Sequence, residues 1–372
     1  MAASLNDPTV RTGARKPSLL ILLNGQPLSG VIEAEITNNN HYQADRFSAS
    51  FYLKPTDAWY EADTVLLDIQ ASPDDGKPFA SLIVGEVSEV SIDLIRHQVR
   101  VEGRDLTSRF IEAKTQETFK NQTASQVATT LAGRHGLTAD VVPTTALVGR
   151  YYVQDHDHLK NGEFTRTTTE WDLLTYLAGL EGYDVWVEGT VLKFKPSTKP
   201  DATPWLVQWA VDEAGMPTSN AIDLGLNRNL TLARDIIVEV KSWNSRKGSG
   251  FTKVAKAGKS QSKGSKGARN GSSSGEPQKI SITRPNLTED QAQKLANSIL
   301  AEESRHERVI RWREPADALM TARTMCLLQG TGTSWDQVYF VASVRRQISV
   351  GSGFVMSVEA KNHTPESQAG LR

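Results

Sequence analysis

"VEGRDLT" (residues 101–107) closes a run of alternating apolar residues, and "VEAKNHT" (residues 358–364) closes another near the far end of the chain. The flanks agree as well as the endings. Upstream of Thr107 lies "GEVSEVSIDLIRHQVRVEGRDLT", and upstream of Thr364 lies "VASVRRQISVGSGFVMSVEAKNHT". Each has apolar residues on alternate positions, a short polar turn and a return strand. Each return strand ends in Val-Glu, a small residue, a base, Asp or Asn, and then Thr two positions on. β-Hairpins draw on few residue types, so composition alone carries little; agreement in element order carries more. The simplest account is one β-unit present twice, at about 18–107 and 205–366. A closed barrel or sandwich is expected for each, because a small antiparallel sheet must hide its edges.

The rest of the chain is mostly period-two strand pattern broken by turn residues. "SLLILLNGQPLSGVIEAEIT" (18–37) reads as two strands around Asn24-Gly25, and "YDVWVEGTVLKFKP" (183–196) as a hairpin around Glu188-Gly189. Three segments read as helices, each opened by a threonine: "TASQ" at 123–126, "TEWD" at 169–172 and "TEDQ" at 288–291. A threonine hydroxyl there can accept a bond from an orphan backbone N–H, and Gln126 and Gln291 can bond back. Each helix carries one apolar stripe and so packs on one side only.

The chain has 372 residues, 38% apolar and 23% charged, with a net charge of −1. That composition fits a folded chain of two or three domains. No apolar run approaches the roughly 18 residues that a membrane span needs. The N-terminus "MAASLNDPTVRTGARKPS" lacks a signal-peptide apolar stretch, so general secretion is not expected. The single cysteine, Cys326, allows no intrachain disulfide and fits folding in a reducing cytoplasm. Charge is uneven. Residues 246–279 hold nine Lys/Arg and one acid, Glu276, a balance of +8 that leaves −9 elsewhere. This Gly/Ser-rich strap has too few large apolar side chains to offset its ordering entropy, and it reads as the long tip of a hairpin between 234–243 and 279–283.

Catalytic and ligand-binding patterns are weak. "AGKS" (257–260) lacks the P-loop's first glycine, since position 253 is Lys, and it sits in the strap. No Gly-x-Ser-x-Gly elbow occurs. In "QDHDHLKNGE" (154–163), His156 and His158 would share a face of an extended segment, but two imidazoles make a poor zinc site. They are the one weak metal candidate, and no metal or cofactor is expected. The acid pairs Asp155/Asp157 and Glu302/Glu303 sit in no recognisable cleft motif. The strap has only Phe251 for base stacking, which favours a solvated loop or a tether over nucleic-acid binding. Trp171 and Trp186 fit core positions better than a sugar-binding surface.

The helix and hairpin at 167–196 resemble the middle of tail hub proteins of contractile phages, the late control protein D and Mu-like baseplate hub families. Their pattern W-D-x-L-x-x-L-A-x-x-x-G, then V-x-V-x-G-x-x-L-x-F, is matched by Trp171, Asp172, Leu174, Leu177, Ala178 and Gly182, then Val185, Val187, Gly189, Leu192 and Phe194. The segment "TRPNLTEDQAQKLANSILAEESRHERVI" and the strands after it resemble the last barrel of those hubs. The strap lies outside that pattern.

The resemblance implies a mainly β chain with an α+β insert: two related antiparallel, tube-type β-barrel domains flanking or surrounding a mixed α/β middle domain. The expected boundaries are a flexible arm at 1–17, a first barrel at 18–107, a middle domain at 108–200, a second barrel at 201–366 and a tail at 367–372. The second barrel would carry the disordered basic loop 246–278 and a helix at about 288–306. The resemblance further implies a non-enzymatic homotrimer whose six barrels form a pseudo-sixfold ring between the hexameric tail tube and a separate trimeric spike. Its expected partners are the tail tube protein, the spike protein, baseplate wedge proteins and the tape measure protein. DNA would pass through an acidic lumen without specific binding, and nothing would insert into a membrane. The protein would be made in the host cytoplasm and end in the virion. A tail-associated cell-wall hydrolase and an envelope- or sugar-binding module are the alternative readings.

Overall fold

The computed structural model describes residues 4–6, 15–40, 42–53, 58–61, 63, 65–74, 76–114, 118–119, 121–148, 159–160, 169–197, 203–228, 236–244, 249–256, 278–285, 287–304, 308–349 and 351–362. Most are in strands, as alternation predicts. The N-terminal β-unit contains β1 (Ser18–Leu23), β2 (Gln26–Pro27), β3 (Val31–Asn39), β4 (Arg46–Tyr52), β5 (Leu66–Ser72), β6 (Ala80–Asp93) and β7 (Gln98–Asp105). A middle segment follows: α1 (Thr107–Glu112), β8 (Thr118–Phe119), α2 (Ala124–Arg134), β9 (Thr138–Val141), β10 (Leu159–Lys160), α3 (Glu170–Glu181), β11 (Tyr183–Glu188) and β12 (Val191–Pro196). The C-terminal β-unit starts with β13 (Trp205–Val211), β14 (Pro217–Ser219) and β15 (Asp223–Arg228). It is then interrupted by β16 (Ile236–Asn244), β17 (Ser249–Lys256), β18 (Gln278–Thr283) and α4 (Glu289–Ser304). It resumes as β19 (Arg308–Pro315), β20 (Met325–Gln329), β21 (Val338–Ser349) and β22 (Gly353–Asn362).

The strand connectivity of the two β-units is nearly the same. Take the main strands in chain order: β1, β3, β4, β5, β6, β7 in one unit and β13, β15, β19, β20, β21, β22 in the other. Both lie in the spatial order second, third, sixth, fifth, fourth, first. Each first strand also carries a short antiparallel partner, β2 or β14. The long hairpins break register at the same place. Val87 faces Gly103 and Glu89 faces Glu102, so Ser88 is the extra residue; Val341 faces Ala360 and Ser343 faces Glu359, so Ala342 is. One pairing differs: β1 runs antiparallel to β5, whereas β13 runs parallel to β20.

The bulge at Ala342 has a structural consequence. One edge of β21 pairs with β22 from Tyr339 to Ser349. The other edge changes partner along its length. It pairs with β20 around Phe340, ending where Val341 N donates to Thr324 O (3.1 Å), and beyond Ala342 it pairs antiparallel with β3, from Ser343–Asn39 to Ser349–Glu33. One continuous sheet of 14 strands therefore runs through both units. It covers a single apolar cluster that includes Ile36, Phe51 and Ile69 from one unit and Trp312, Val344 and Met356 from the other. Among the described residues this sheet does not close on itself. It ends at β2, β14 and β15; the closed barrels expected from edge hiding are not formed by hydrogen bonding within one chain.

A second core joins the middle segment to the interruption in the C-terminal unit. Leu131, Trp171, Leu177, Val187 and Phe194 pack with Ile236, Val238, Val240, Ala292 and Ala296. The helix expected at about 288–306 is α4, and its apolar stripe faces this core rather than the C-terminal sheet. The three threonine caps form. Thr123 and Gln126 make a reciprocal capping box, Thr169 accepts from Asp172 N, and Thr288 accepts from Gln291 N (3.2 Å).

Three local readings change. The Asn24-Gly25 turn has both residues at positive φ (47° and 82°), as a type I′ turn requires. Its hairpin is only β1–β2, though, and β3 turns away to pair with β4 and β21. The strap does not link an antiparallel hairpin: β16 and β18 are parallel neighbours, and β17, inside the expected loop, is the antiparallel partner of β16. Residues 257–277 of the strap lie outside the described residues. Part of the arm expected to be flexible is engaged, since Leu5 N donates to Pro204 O (2.9 Å) and Asn6 exchanges side-chain bonds with both backbone groups of Leu206.

Gly330, just past β20, has φ +100°, and a Cβ there would lie 1.8 Å from the Trp209 carbonyl oxygen. Gly330→Ala is expected to destabilise the protein by about 2 kcal/mol or more through loss of the β13–β20 contact, read as a lower midpoint in urea unfolding. The same change at Gly133, with open space around its Cβ position, is expected to be neutral or stabilising.

Candidate functional site

The residues joining β3 to β4, "NNNHYQAD" (38–45), hold the three parts of the molecule together. His41 lies outside the described residues. Asn40 N donates to Ala342 O (2.8 Å), which continues the β3–β21 ladder, and Asn40 Oδ1 accepts from Arg323 Nη1 (2.7 Å). Arg323 also stacks over the Trp186 ring of β11 at 4.0 Å and pairs with Asp184 at 3.5 Å. Trp171 of α3 donates its indole N–H to Tyr42 O (2.8 Å). The 38–45 segment is thus bonded to β21, to the 317–324 loop and to α3, and reaches the middle hairpin through Arg323.

Charge is buried at this junction. Arg346 of β21 is 3% exposed. It donates to Asn38 Oδ1 (2.7 Å) and to the carbonyl oxygens of Asp317 and Met320. Burial lowers its guanidinium to about 10, against the pull of Asp317 and Asp45. Asp45 accepts from Asn39 N (2.6 Å) and Asn38 Nδ2 (2.8 Å), and loss of hydration still raises its carboxyl to about 6. Asp105 is buried beside it. Its Oδ2 accepts from Thr107 Oγ1 (2.8 Å), and its Oδ1 has no hydrogen-bond partner among the described residues. Burial first, and the Asp45 charge second, push Asp105 well above the usual carboxylate range. Both carboxyls border a cavity of about 490 Å³ whose wall includes Arg323, Arg346, Trp171 and Trp186.

The two repeated sequence phrases end at equivalent places in this architecture. Asp105 N donates to Asp45 O (3.0 Å) at the end of the β4–β7 ladder, and Arg308 N donates to Asn362 Oδ1 (2.8 Å) at the end of β19–β22. Asp105 and Asn362 occupy the same register position, one over a carboxyl and the other over an arginine.

A second polar chain ties the N-terminal unit to the middle helices. Glu86 of β6 accepts two bonds from Arg109 of α1, and Arg109 donates to His135 O at the end of α2 (2.7 Å). Glu170 of α3, 1% exposed, is held by Arg134 (2.5 Å) and His135 (2.6 Å).

Of the residues singled out in the sequence, Trp171, Val185, Val187 and Gly189 border this cavity, and the others lie elsewhere. Trp171, Leu174, Leu177, Val185, Val187, Leu192 and Phe194 are buried in the middle core. Asp172 N is bonded to the Thr169 cap, Gly182 ends α3 at φ 70°, and Gly189 turns the β11–β12 hairpin at φ 59°. His156 and His158, with Asp155 and Asp157, lie outside the described residues; Glu302 and Glu303 lie in the last turn of α4. Cys326 is fully buried, and burial pushes its thiol up, away from nucleophilic use. Among the described residues, no three His, Cys, Asp or Glu side chains converge as metal ligands, and no helix is long and apolar enough to cross a membrane. The junction itself was missed. Its signal was three consecutive asparagines at a strand end, a costly place for polar side chains unless each has a partner.

No family model matches the chain, and no curated protein matches it either. Solved structures do. A tail protein from Neisseria meningitidis MC58 is similar over 94% of this chain and 99% of its own, at 13% identity and a TM-score of 0.67. The 43 kDa tail protein of prophage MuSo2 from Shewanella oneidensis is similar over 95% of this chain and 100% of its own, at 13% identity and a TM-score of 0.66. The E. coli c3393 protein, a component of the type VI secretion system with structural similarity to T4 tail proteins gp27 and gp5, is similar over 92% of this chain and 77% of its own, at 9% identity and a TM-score of 0.53. At these identities the likeness is one of fold. The chain has the fold of phage tail proteins, mainly β with large antiparallel sheets.

In the folded state Asp45 and Asp105 hold their protons to higher pH than in the unfolded chain. The native state therefore binds more protons from about pH 4 upward, and this pair's contribution to stability falls as pH rises through the Asp45 value of about 6. Asp105→Asn, which places here the residue found at 362, is expected to reduce that dependence. Thermal unfolding should show a midpoint at pH 7 at least as high as the parent's, with a smaller gain on acidification to about pH 5.

Proposed function

We propose that this protein is a structural baseplate hub of a contractile phage tail or a related injection machine, and not an enzyme. The single observation that carries the reading is the repeated β-unit: two sheets with one strand order, bulged at the same residue, joined edge to edge in one chain. Units alike in that degree arise most simply by duplication. Three chains with two such units each supply six similar modules around one axis. A ring of this kind adapts a hexameric tail tube on one face to a trimeric spike on the other. The two units correspond to the two tube-type barrels, with closure supplied by neighbouring copies. Similarity to tail proteins over nearly the full length of both chains supports a role as a tail component made in the host and incorporated in the virion. The fold shared with a type VI secretion component supports spike-type partners.

The remaining assignments follow from this reading. The tube protein, the spike protein, baseplate wedge proteins and the tape measure protein are its partners, and DNA passes through the lumen without specific binding. The chemistry at the junction fits a structural role, since Asp45, Arg323 and Arg346 are each engaged by backbone and amide groups that fix the two units against each other.

Native mass measurement tests the proposal. A species of three times the 40.8 kDa chain is expected. A single-chain mass at every concentration would overturn the hub reading.

A further inference from the structure

The three-stranded sheet of β17, β16 and β18 packs one face on the second core and turns the other outward. Val238, Val240 and Ser242 of β16 are buried, so the residues between them, Glu239 and Lys241, and then Trp243, lie on the outer face. Trp243 is 53% exposed. Its cross-strand neighbour is Gly250 of β17, and the six-membered part of the indole lies over it: a Cβ at Gly250 would come within 2.8 Å of Trp243 Cε3. The missing side chain makes room for the ring, which is held against the sheet and half open to solvent. Phe251, the strap's one aromatic, is turned the other way. It lies opposite Ser242 and packs against the second core.

The charge around this ring has one sign. Lys241 precedes Trp243 by two residues on the same face, and Lys256 shares that face at the end of β17, opposite Ile237. Both lysines are exposed, and neither makes an ion pair among the described residues. Glu239, the one acid on this face of the three strands, is taken up by Lys279 (2.7 Å). The 21 residues between Lys256 and Gln278 add four Lys/Arg against one acid, and both their ends lie at the Lys256–Lys279 end of the sheet. Thr252 and Thr283 flank Lys241 in register and bring hydroxyl donors beside it. An acidic protein surface would meet the charge and leave the indole without a flat partner. A polymer with one negative charge and one flat ring per unit meets both. Single-stranded nucleic acid is such a polymer, whereas a duplex keeps its base faces inside its own stack.

We propose that the outer face of the β17–β16–β18 sheet binds single-stranded nucleic acid, with a base stacked on Trp243 and phosphates on Lys241 and Lys256. The site reads no sequence, because every base has a face to stack. It lies on a sheet separate from the 14-stranded one, so it is independent of the hub reading and of the number of copies in the assembly.

A fluorescently labelled oligothymidylate of about 15 residues, titrated with the full-length protein at about 50 mM salt and read by anisotropy, tests the site. Saturable binding is expected, weakening about fivefold or more as salt is raised to about 200 mM. Trp243→Ala, at an exposed position, should weaken binding at least about fivefold with an unchanged far-ultraviolet circular dichroism spectrum, and Trp243→Phe should restore most of it. Gly250→Ala, whose side chain meets no nucleotide, should weaken binding by lifting the indole. Lys241→Glu should weaken it and flatten the salt dependence. The same titration is run with the oligothymidylate–oligoadenylate duplex, with heparin and with polyglutamate. No binding by the parent at low salt, or equal affinity in the parent and Trp243→Ala, overturns the proposal. So does a duplex that binds as tightly as the single strand. Heparin or polyglutamate binding as tightly, with the same dependence on Trp243, also overturns it and gives the face to an anionic glycan or to an acidic protein.

Discussion

The backbone pairing of β21 with β3 is the constraint on which the rest of the molecule depends. A strand has two hydrogen-bonding edges, and β21 shares one of them between its own unit and the other one. It can do so because the extra residue at Ala342 offsets the two stretches and increases local twist. Once that edge is shared, the two sheets become one, their apolar faces merge, and the polar residues just beyond the ladder have to be solvated by protein. The asparagines at 38–40, the carbonyls of the 317–320 loop and the Arg323–Trp186 stack meet that demand. Truncating any of them would leave a buried donor or acceptor bare, at a cost of roughly 1–3 kcal/mol each.

Buried charge at the junction contributes more to placement than to stability. Arg346 and the Asp45/Asp105 pair are taken out of water, which an apolar core of equal volume would avoid. What they provide is direction. A guanidinium that must reach one amide and two carbonyls tolerates little rotation of one unit against the other, whereas aliphatic packing tolerates more. The Glu86–Arg109–His135 chain does the same for the middle helices. The polar contacts are concentrated where the angle between the two units is set.

Local signals in the sequence were readable in proportion to how local their causes are. Thr123, Thr169 and Thr288 cap helices through bonds spanning three residues, and Asn24-Gly25 makes its turn from its own φ preferences, so each could be read from a few neighbours. The likeness of 101–107 to 358–364 was also legible, because ladder ends constrain both composition and order. The partners of strands were not legible. Nothing in "RDIIVEVKSW" says that its neighbours are a parallel strand some 40 residues later and an antiparallel one inside a basic, glycine-rich stretch. Nor does α4 announce that its stripe faces the middle core, since amphipathicity gives a face and no address. The junction at Asn38, Asp45 and Arg346 joins residues some 300 apart, and only the fold brings them together.

One departure from likeness between the units has a consequence for assembly. β13 runs parallel to β20 where β1 runs antiparallel to β5, so the first strands of the two units present their carbonyls and amides in opposite senses. A perfectly even ring of six would offer a docked partner six indistinguishable rotational settings. In the ring proposed above, alternation of strand sense would halve that degeneracy to three, and a three-chain needle seated on it would have no orientation left in which it fits wrongly.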